Sequence, residues 1–421
     1  MAMKNLKNRI LAAILSSAMA VGMMGAAVPV SAATAEKTSV IGLTVNHQKA
    51  AMGVSRNGSI RFGWKMESDE TGQRQESYLI NVYEKSTDGT LVWTSGTVKD
   101  QKCSGISFDT DVLGLKKETK YAWTVTVVPA KGNGEPVTSD PAYFITDTDM
   151  SDAKWIVPMQ DESGSMPILR TEQPLEKKQV ESAYLYISSM GVYTAYIDGQ
   201  EVKISSQFDD IFNPGWTDYK YYTNYQTYDV TDYIKDTSLT LGVELGRGWY
   251  AGKIGETGGY TQVFGSDDEI SELGLIAKLA VNYADGTIQY ISTDTENWQS
   301  STYSPVKAND FFDGETYDAN IAKDIQGWNN DGYFRQTGKT EQWSSVTEGA
   351  YKGELRSGNG AVAKIADQYD RNIVSAYTYQ ESEIKTAKDA GNDYGEVVQH
   401  SVNVNDTIAL KKGDVLILDF G

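Results

Sequence analysis

The chain has 421 residues, with 57 Asp and Glu against 38 Lys and Arg, a formal charge of −19, two histidines and one cysteine. So acidic a chain is a poor partner for nucleic acid, and Cys103 alone cannot form an intrachain disulfide, so stability rests on hydrophobic cores. His47 and His400 stand far apart with no Cys partner set, which argues against zinc. No cofactor is required, and any metal ion would be a hard, oxygen-bound one such as calcium.

Lys4, Lys7 and Arg9 precede an apolar run from Ile10 to Val30 that ends in Val30-Ser31-Ala32. Gly22, Gly25, Pro29 and Ser31 interrupt the run and no stop-transfer charges follow, so residues 1–32 read as a signal peptide rather than an anchor. The expectation is a secreted, extracellular protein with no membrane span after cleavage. Losing three cations with that segment takes the formal charge from −19 to −22. About 385 residues then remain, enough for two to four domains. With 26 Tyr, 9 Trp and 39 Gly, and few long helical stripes, the composition reads as mostly β.

Residues 38–148 form short alternating runs between turn signals, such as Ile60 to Trp64 and Tyr78 to Tyr83. In Tyr121-Ala122-Trp123-Thr124-Val125-Thr126-Val127 the large residues fall on one face, for a core, and the small ones on the other, for solvent. Asp88-Gly89 marks a hairpin turn, and about seven such strands suit an immunoglobulin- or fibronectin-like sandwich. A polar stretch, Asp147 to Asp152, then leads to Lys154-Trp155-Ile156 and a second domain over 152–348. Ala183 to Ile187, Tyr193 to Ile197 and Leu239 to Leu245 alternate, and Asp198-Gly199 and Asp285-Gly286 supply turns, a pattern that favours a larger jelly-roll-like sandwich. Over 349–421 the chain is less regular until Val415-Leu416-Ile417-Leu418, so an incomplete third β domain is expected there. The fold class is all-β, with sandwiches in series.

Three stretches carry a family resemblance. The first domain has Leu91-Val92-Trp93-Thr94-Ser95-Gly96, Tyr121-Ala122-Trp123-Thr124-Val125 and Pro141-Ala142-Tyr143-Phe144-Ile145-Thr146. The second has Asn213-Pro214-Gly215-Trp216-Thr217-Asp218-Tyr219, then Tyr225-Gln226-Thr227-Tyr228-Asp229-Val230-Thr231, then Gly246-Arg247-Gly248-Trp249-Tyr250. Phe312-Asp313-Gly314-Glu315-Thr316-Tyr317-Asp318-Ala319 closes that domain, and Asp419-Phe420-Gly421 is similar to the opening strand of a further one. In order and spacing the chain resembles the N-terminal, non-catalytic region of bacterial α-L-rhamnosidases. The resemblance implies an inverting glycoside hydrolase that removes terminal α-L-rhamnose from plant glycosides or polysaccharides. Its acids sit in an α/α barrel beyond all of these segments, so no catalytic residue is assigned here and the isolated chain is expected to be inactive. The implied partners are L-rhamnose-containing glycans or glycosides.

The resemblance also implies a carbohydrate-binding second domain in some members, with calcium. Trp216, Trp249 and Tyr250 offer rings on which a pyranose would stack, and Arg247 lies among them where the family often has a neutral residue. Asp198, Asp209 and Asp210 are the calcium candidates, against the plainer readings of a turn residue and a solvated acidic loop. Asp313, Glu315 and Asp318 crowd three carboxylates into six residues and are assigned to an inter-domain seam, paired with donors. Two other classes stay open: a secreted carbohydrate-binding protein without a barrel, and a structural spacer.

Overall fold

The structure, a computed structural model, describes residues 38–159, 165–204, 208–209, 212–254, 259–260, 272–358, 363–364, 372–389 and 397–421. The expected signal peptide over 1–32 lies outside the described residues. Among these residues no helix is long and apolar enough to cross a membrane.

The first domain holds β1 (Thr38–Val45), β2 (Ala51–Val54), β3 (Ser59–Ser68), β4 (Gln75–Glu84), β5 (Leu91–Thr94), β6 (Ile106–Asp109), β7 (Lys120–Pro129), β8 (Val137–Thr138) and β9 (Ala142–Thr146). One sheet runs β1-β3-β6 and the other β2-β9-β7-β4-β5, with β8 added to β7. Alternation places Ile60, Phe62 and Trp64 of β3 against Tyr121, Trp123, Val125 and Val127 of β7 in one core. Trp123 meets Phe62 edge to face at 4.8 Å, and each fully buried side chain of this size adds about 1.5–3 kcal/mol. The opposite face of β7 is not solvated as its small residues suggested. Ala122 and Thr124 are buried, because β7 lies between β4 and β9 with Tyr83 and Tyr143 in register beside Ala122.

The second domain comprises β10 (Ile156–Val157), β11 (Ile168–Pro174), β12 (Val180–Met190), β13 (Val192–Ile197), β14 (Gln200–Glu201), β15 (Phe208–Asp209), β16 (Tyr222–Asp229), β17 (Ser238–Gly246) and the pair β18 (Lys253–Ile254) and β19 (Gly259–Tyr260). It continues with β20 (Gly274–Tyr283), β21 (Ile288–Ser292), β22 (Gln299–Ser301), β23 (Val306–Asp310), β24 (Gly314–Tyr317), β25 (Ser344–Ser345), β26 (Thr347–Glu348) and β27 (Glu354–Ser357). One sheet is β26-β10-β20-β12-β16-β27 with β21 on β20, and the facing sheet is β14-β13-β17-β11-β22-β25. Asp198 and Gly199, both at positive φ, make the tight turn from β13 to β14. β27 runs parallel to β16, so this sandwich takes in residues past 348, where its end was expected. The segment lacks an alternating pattern, which is why its strand is not legible in the sequence.

A smaller β element follows. β28 (Ala363–Lys364) pairs with β15, and β29 (Ser375–Tyr379) is the centre of a sheet with β30 (His400–Ser401) and β31 (Val415–Asp419). Tyr379 and Val397 pack there with Ile384 of the helix Glu381–Asp389.

Both outer faces of the second sandwich are covered. On β12 the odd-numbered Leu185 and Ile187 enter the core, while Tyr184 and Tyr186 turn outward and meet Ile145, Met52 and Met150 of the first domain and its linker. Beside them Lys278 of β20, 2 % exposed, gives its Nζ to the Asp149 carbonyl (2.8 Å) and Asp152 Oδ1 (2.7 Å). It also lies 3.7 Å from Glu118 and over the ring of Tyr290 at 4.3 Å. Glu118 in turn accepts the hydroxyls of Thr148 (2.5 Å) and Tyr290 (2.6 Å). Gly53 completes this seam, since at φ +68 a Cβ would stand 2.5 Å from Ser357 Oγ and Thr227 Oγ1.

The outer face of the other sheet is covered by a segment with α1 (Ala319–Asp324) and α2 (Tyr333–Thr337). Trp328, Tyr333 and Trp343 pack there on Ile168 and Tyr196. Gly242 of β17 admits this layer, because a Cβ there would lie 2.7 Å from Asn329 Cβ and 3.1 Å from the Trp328 ring. Beneath it Arg170, 1 % exposed, pairs with Glu172 at 2.8 Å and stacks 4.4 Å from the Phe334 centroid.

Removing one member of a buried charge pair leaves the other unpaired at a cost of several kcal/mol. Lys278→Ala is therefore expected to lower stability by about 3 kcal/mol, read as a lower urea midpoint, whereas Lys85→Ala at the exposed rim is expected to change it by less than about 1 kcal/mol.

Candidate functional site

An open aromatic surface of the second sandwich is built on three pieces of backbone. The loop after Phe212 is held from below: Asn213, buried, donates Nδ2 to the Tyr228 hydroxyl (2.9 Å), and its carbonyl accepts the Tyr193 N–H (3.1 Å). Tyr193 also donates to Gln226 Oε1 (2.8 Å), and Gln226 Nε2 reaches the Pro214 carbonyl (3.3 Å). The Asn213-to-Tyr219 and Tyr225-to-Tyr228 motifs are thus joined by one buried polar cluster, which leaves Trp216 projecting at 65 % exposure. Thr217 Oγ1 to the Tyr222 carbonyl (2.6 Å) and the Tyr219 hydroxyl to the Gly215 carbonyl (3.0 Å) fix the loop further.

The second piece is the helical turn Gly248–Ala251. Successive residues of a helix point about 100° apart, so Trp249 and Tyr250 face different ways. Trp249 runs nearly parallel to Trp216, with centroids 6.0 Å apart and planes at 11°. Tyr250 is 5 % exposed, packs on Tyr219 at 5.2 Å and donates to Met190 Sδ. That corrects its assignment as a stacking residue: its ring belongs to the core, and burial pushes its hydroxyl up to about 12. Arg247 sits at the start of this turn, half-buried, with its N–H on Asn309 Oδ1 (3.2 Å).

The third piece is the β23–β24 hairpin. Phe311 at its tip contacts Trp249 at 4.8 Å and Phe212 at 5.2 Å, and Phe311, Phe312 and Phe212 are all exposed. The result is a ledge of Phe212, Trp216, Trp249 and Phe311. Phe212 also borders a cavity of about 410 Å³ whose polar lining includes Glu201, Lys203, Glu244, Asn309 and Glu315. Glu244 accepts the Tyr196 hydroxyl (3.0 Å), and its burial outweighs that bond, holding its carboxyl above the ordinary value. Such a ledge beside hydrogen-bonding groups can take the C–H face of a sugar ring and its hydroxyls.

The remaining sequence candidates separate. Asp198 Oδ1 accepts the Thr240 N–H (2.8 Å), and burial raises the carboxyl against that bond, a turn and strand role. Asp209 lies on β15, opposite Ala363; its side chain and all of Asp210 lie outside the described residues. No group of three or more His, Cys, Asp or Glu is placed to hold a metal ion among the described residues. Asp313 pairs with Lys253 (2.5 Å) and Asp318 caps the helix Ala319–Asp324 through the Asn320 N–H (2.9 Å). Glu315 lines the cavity. Their described contacts stay within the second sandwich, where Asp313 and Asp318 meet local donors, while Glu118, Asp152 and Lys278 make the junction with the first domain.

Comparison with known proteins agrees with this architecture. The family described as the alpha-L-rhamnosidase N-terminal domain matches residues 178–366, and the Rha78A-like N-terminal immunoglobulin domain matches residues 40–148. The chain belongs to the α-L-rhamnosidase family. An α-L-rhamnosidase of Formosa agariphila is 32 % identical over 302 residues, 68 % of this chain and 31 % of that protein. One from Streptomyces avermitilis is 32 % identical over 235 residues, 50 % of this chain and 21 % of that protein. The chain therefore spans about a fifth to a third of the length of these curated relatives. Among solved structures, the Aspergillus terreus α-L-rhamnosidase superposes with a TM-score of 0.65 at 25 % identity, over 82 % of this chain and 38 % of that one. The Streptomyces avermitilis enzyme complexed with L-rhamnose superposes at 0.63 and 19 % identity, over 76 % and 46 % of the two chains.

Within this family chain the two neighbouring rings make opposite predictions. Tyr250→Ala is expected to cost about 3–5 kcal/mol through a core cavity, while Trp216→Ala is expected to stay within about 1 kcal/mol, both from urea unfolding. For Glu244, a native carboxyl above its ordinary 4.5 means that the folded state binds the extra proton. Its contribution is then full below pH 4.5 and is lost as pH rises through the native value. Glu244→Gln is expected to flatten the fall in stability above pH 4.5, measured as urea midpoints at successive pH values.

Proposed function

We propose that this chain is the non-catalytic N-terminal part of a secreted α-L-rhamnosidase, an inverting enzyme that removes terminal α-L-rhamnose from plant glycosides or polysaccharides. The single observation that carries this reading is the match of both sandwiches to N-terminal rhamnosidase domains, within relatives three to five times as long as the matched region. Residues 1–32, with their basic start and apolar run, support export.

In this reading the chain alone does not hydrolyse rhamnosides. Inversion needs an acid and a base about 6.5–9.5 Å apart across the scissile bond, and four of the acidic groups of the two sandwiches are engaged elsewhere. Glu118 and Asp152 serve the seam, Glu172 pairs with Arg170 and Arg335, and Asp318 caps a helix. What the chain contributes is sugar contact at the ledge of Phe212, Trp216, Trp249 and Phe311, beside its polar cavity. L-Rhamnose suits such a surface because its methyl and C–H groups pack on rings while its hydroxyls exchange hydrogen bonds. No metal ion is needed for that contact.

The exposed ledge would equally serve a secreted carbohydrate-binding protein without a barrel, and the mass of the protein secreted by its native host separates the two. A mass well above that of the 421-residue chain is expected. The purified chain is expected to show no release of nitrophenol from p-nitrophenyl α-L-rhamnoside, and to bind L-rhamnose about tenfold more weakly after Trp216→Ala. Turnover by the purified chain, or unchanged binding in the variant, would contradict the respective half of the proposal.

A further inference from the structure

Between the first domain and the second sandwich lies a groove of about 500 Å³, on the far side of the second sandwich's sheet from its core. Its walls come from both domains. Lys85 and Lys116 stand on one side, and Glu181, Asn282 and Thr287 on the other, with Tyr184, Tyr283 and Ile288 as apolar lining. We propose that this groove is a second saccharide site, independent of the aromatic ledge, which takes a neutral, hydroxyl-rich sugar.

Three observations carry the assignment. The first is rigidity: the groove is bounded by Glu118, whose carboxylate is tied to Thr148 and Tyr290 and lies beside buried Lys278, so its two walls are held by a buried network. A cleft held in this way requires little ordering on binding. The second is charge. Three Lys and three Glu line the groove, a balanced set in a chain whose formal charge is −19. An anion would meet as many carboxylates as ammonium groups, and the field of the whole chain would oppose it.

The third is the pairing of donors with acceptors. Lys85 Nζ meets Glu181 Oε1 across the junction at 2.7 Å, and Lys116 meets Glu84 at 2.8 Å. An ammonium offers only donors and a carboxylate only acceptors, while each sugar hydroxyl is both. A Lys–Glu pair therefore matches two neighbouring hydroxyls, one accepting and one donating. Asn282, whose Nδ2 reaches Ser182 Oγ (3.2 Å), adds an amide to the same wall. Lys85 adopts a positive φ of 69°, which turns the chain at the rim where its side chain spans the junction. The rim pairs are exposed, 58 % and 41 % for Lys85 and Glu181, so exchanging them for sugar hydroxyls costs little stability.

The test removes the ledge first. The full chain carrying Trp216→Ala is titrated calorimetrically with a neutral rhamnose-terminated trisaccharide, with digalacturonate and with inorganic phosphate, and compared with the chain carrying Trp216→Ala, Lys85→Ala and Asn282→Ala together. The expected result is binding of the trisaccharide in the Trp216→Ala chain, weakened about tenfold or more in the triple variant, with the same melting temperature in both. Failure of the trisaccharide to bind the Trp216→Ala chain, equal affinity in the two chains, or tighter binding of phosphate or digalacturonate than of the trisaccharide would overturn the proposal. A fall in melting temperature of the triple variant is resolved with Glu181→Gln alone in the Trp216→Ala background. That variant keeps the side-chain shape and removes the acceptor charge, and an unchanged affinity there overturns the proposal as well.

Discussion

Lys278 stands in the middle of a central strand with almost no access to water, and an ammonium in that position is tolerable only because the first domain is there to meet it. Its partners are a backbone carbonyl, the Asp152 carboxylate at the domain boundary, Glu118 of the first domain and the ring of Tyr290. Desolvating such a charge costs several kcal/mol unless its hydrogen bonds are replaced, so the junction is specified by the need to satisfy it. Tyr184, Tyr186 and Tyr225 around it are buried against the same surface. The immunoglobulin-like domain accordingly packs on one face of the second sandwich through this buried cluster.

The opposite face is covered by different means. A chain segment with two short helices lies over the second sheet, admitted by the missing side chain at Gly242 and anchored on the buried guanidinium of Arg170. Layers on both faces leave two open features, the aromatic ledge and the junction groove. Phe212, Trp216, Trp249 and Phe311 form the ledge, and the groove lies at the junction with the first domain. The groove draws its walls from the covering first domain as well as from the sandwich.

The aromatic residues show how closely core and surface roles adjoin. Trp249 and Tyr250 are sequence neighbours, yet one joins the open ledge and the other is sealed against Met190 and Tyr219. Asn213 and Trp216 share one loop, the first buried to hold it and the second projected by it. In each case the buried partner helps fix the more open one, Trp249 being half-buried against the core and Trp216 exposed.

Alternation along β3, β7, β12 and β17, with turn chemistry at Asp198-Gly199, was enough to determine an all-β chain of serial sandwiches and to place their principal strands, because a strand's period of two is a local property of side-chain direction. The motifs around Asn213, Tyr225 and Gly246 likewise identified the family. The pair Phe311-Phe312, two large apolar residues at the turn before Asp313-Gly314, was a legible sign of an exposed ring cluster that alternation alone passed over. What only the tertiary structure decided was which carboxylates met which cations, which of two adjacent rings faced outward, and where β27 found its partner. Lys278 and Glu118 are 160 residues apart in the chain, and nothing local to either marks it as buried. Burial and charge pairing depend on which surfaces the fold brings together, and that is a property of the packed chain rather than of any segment within it.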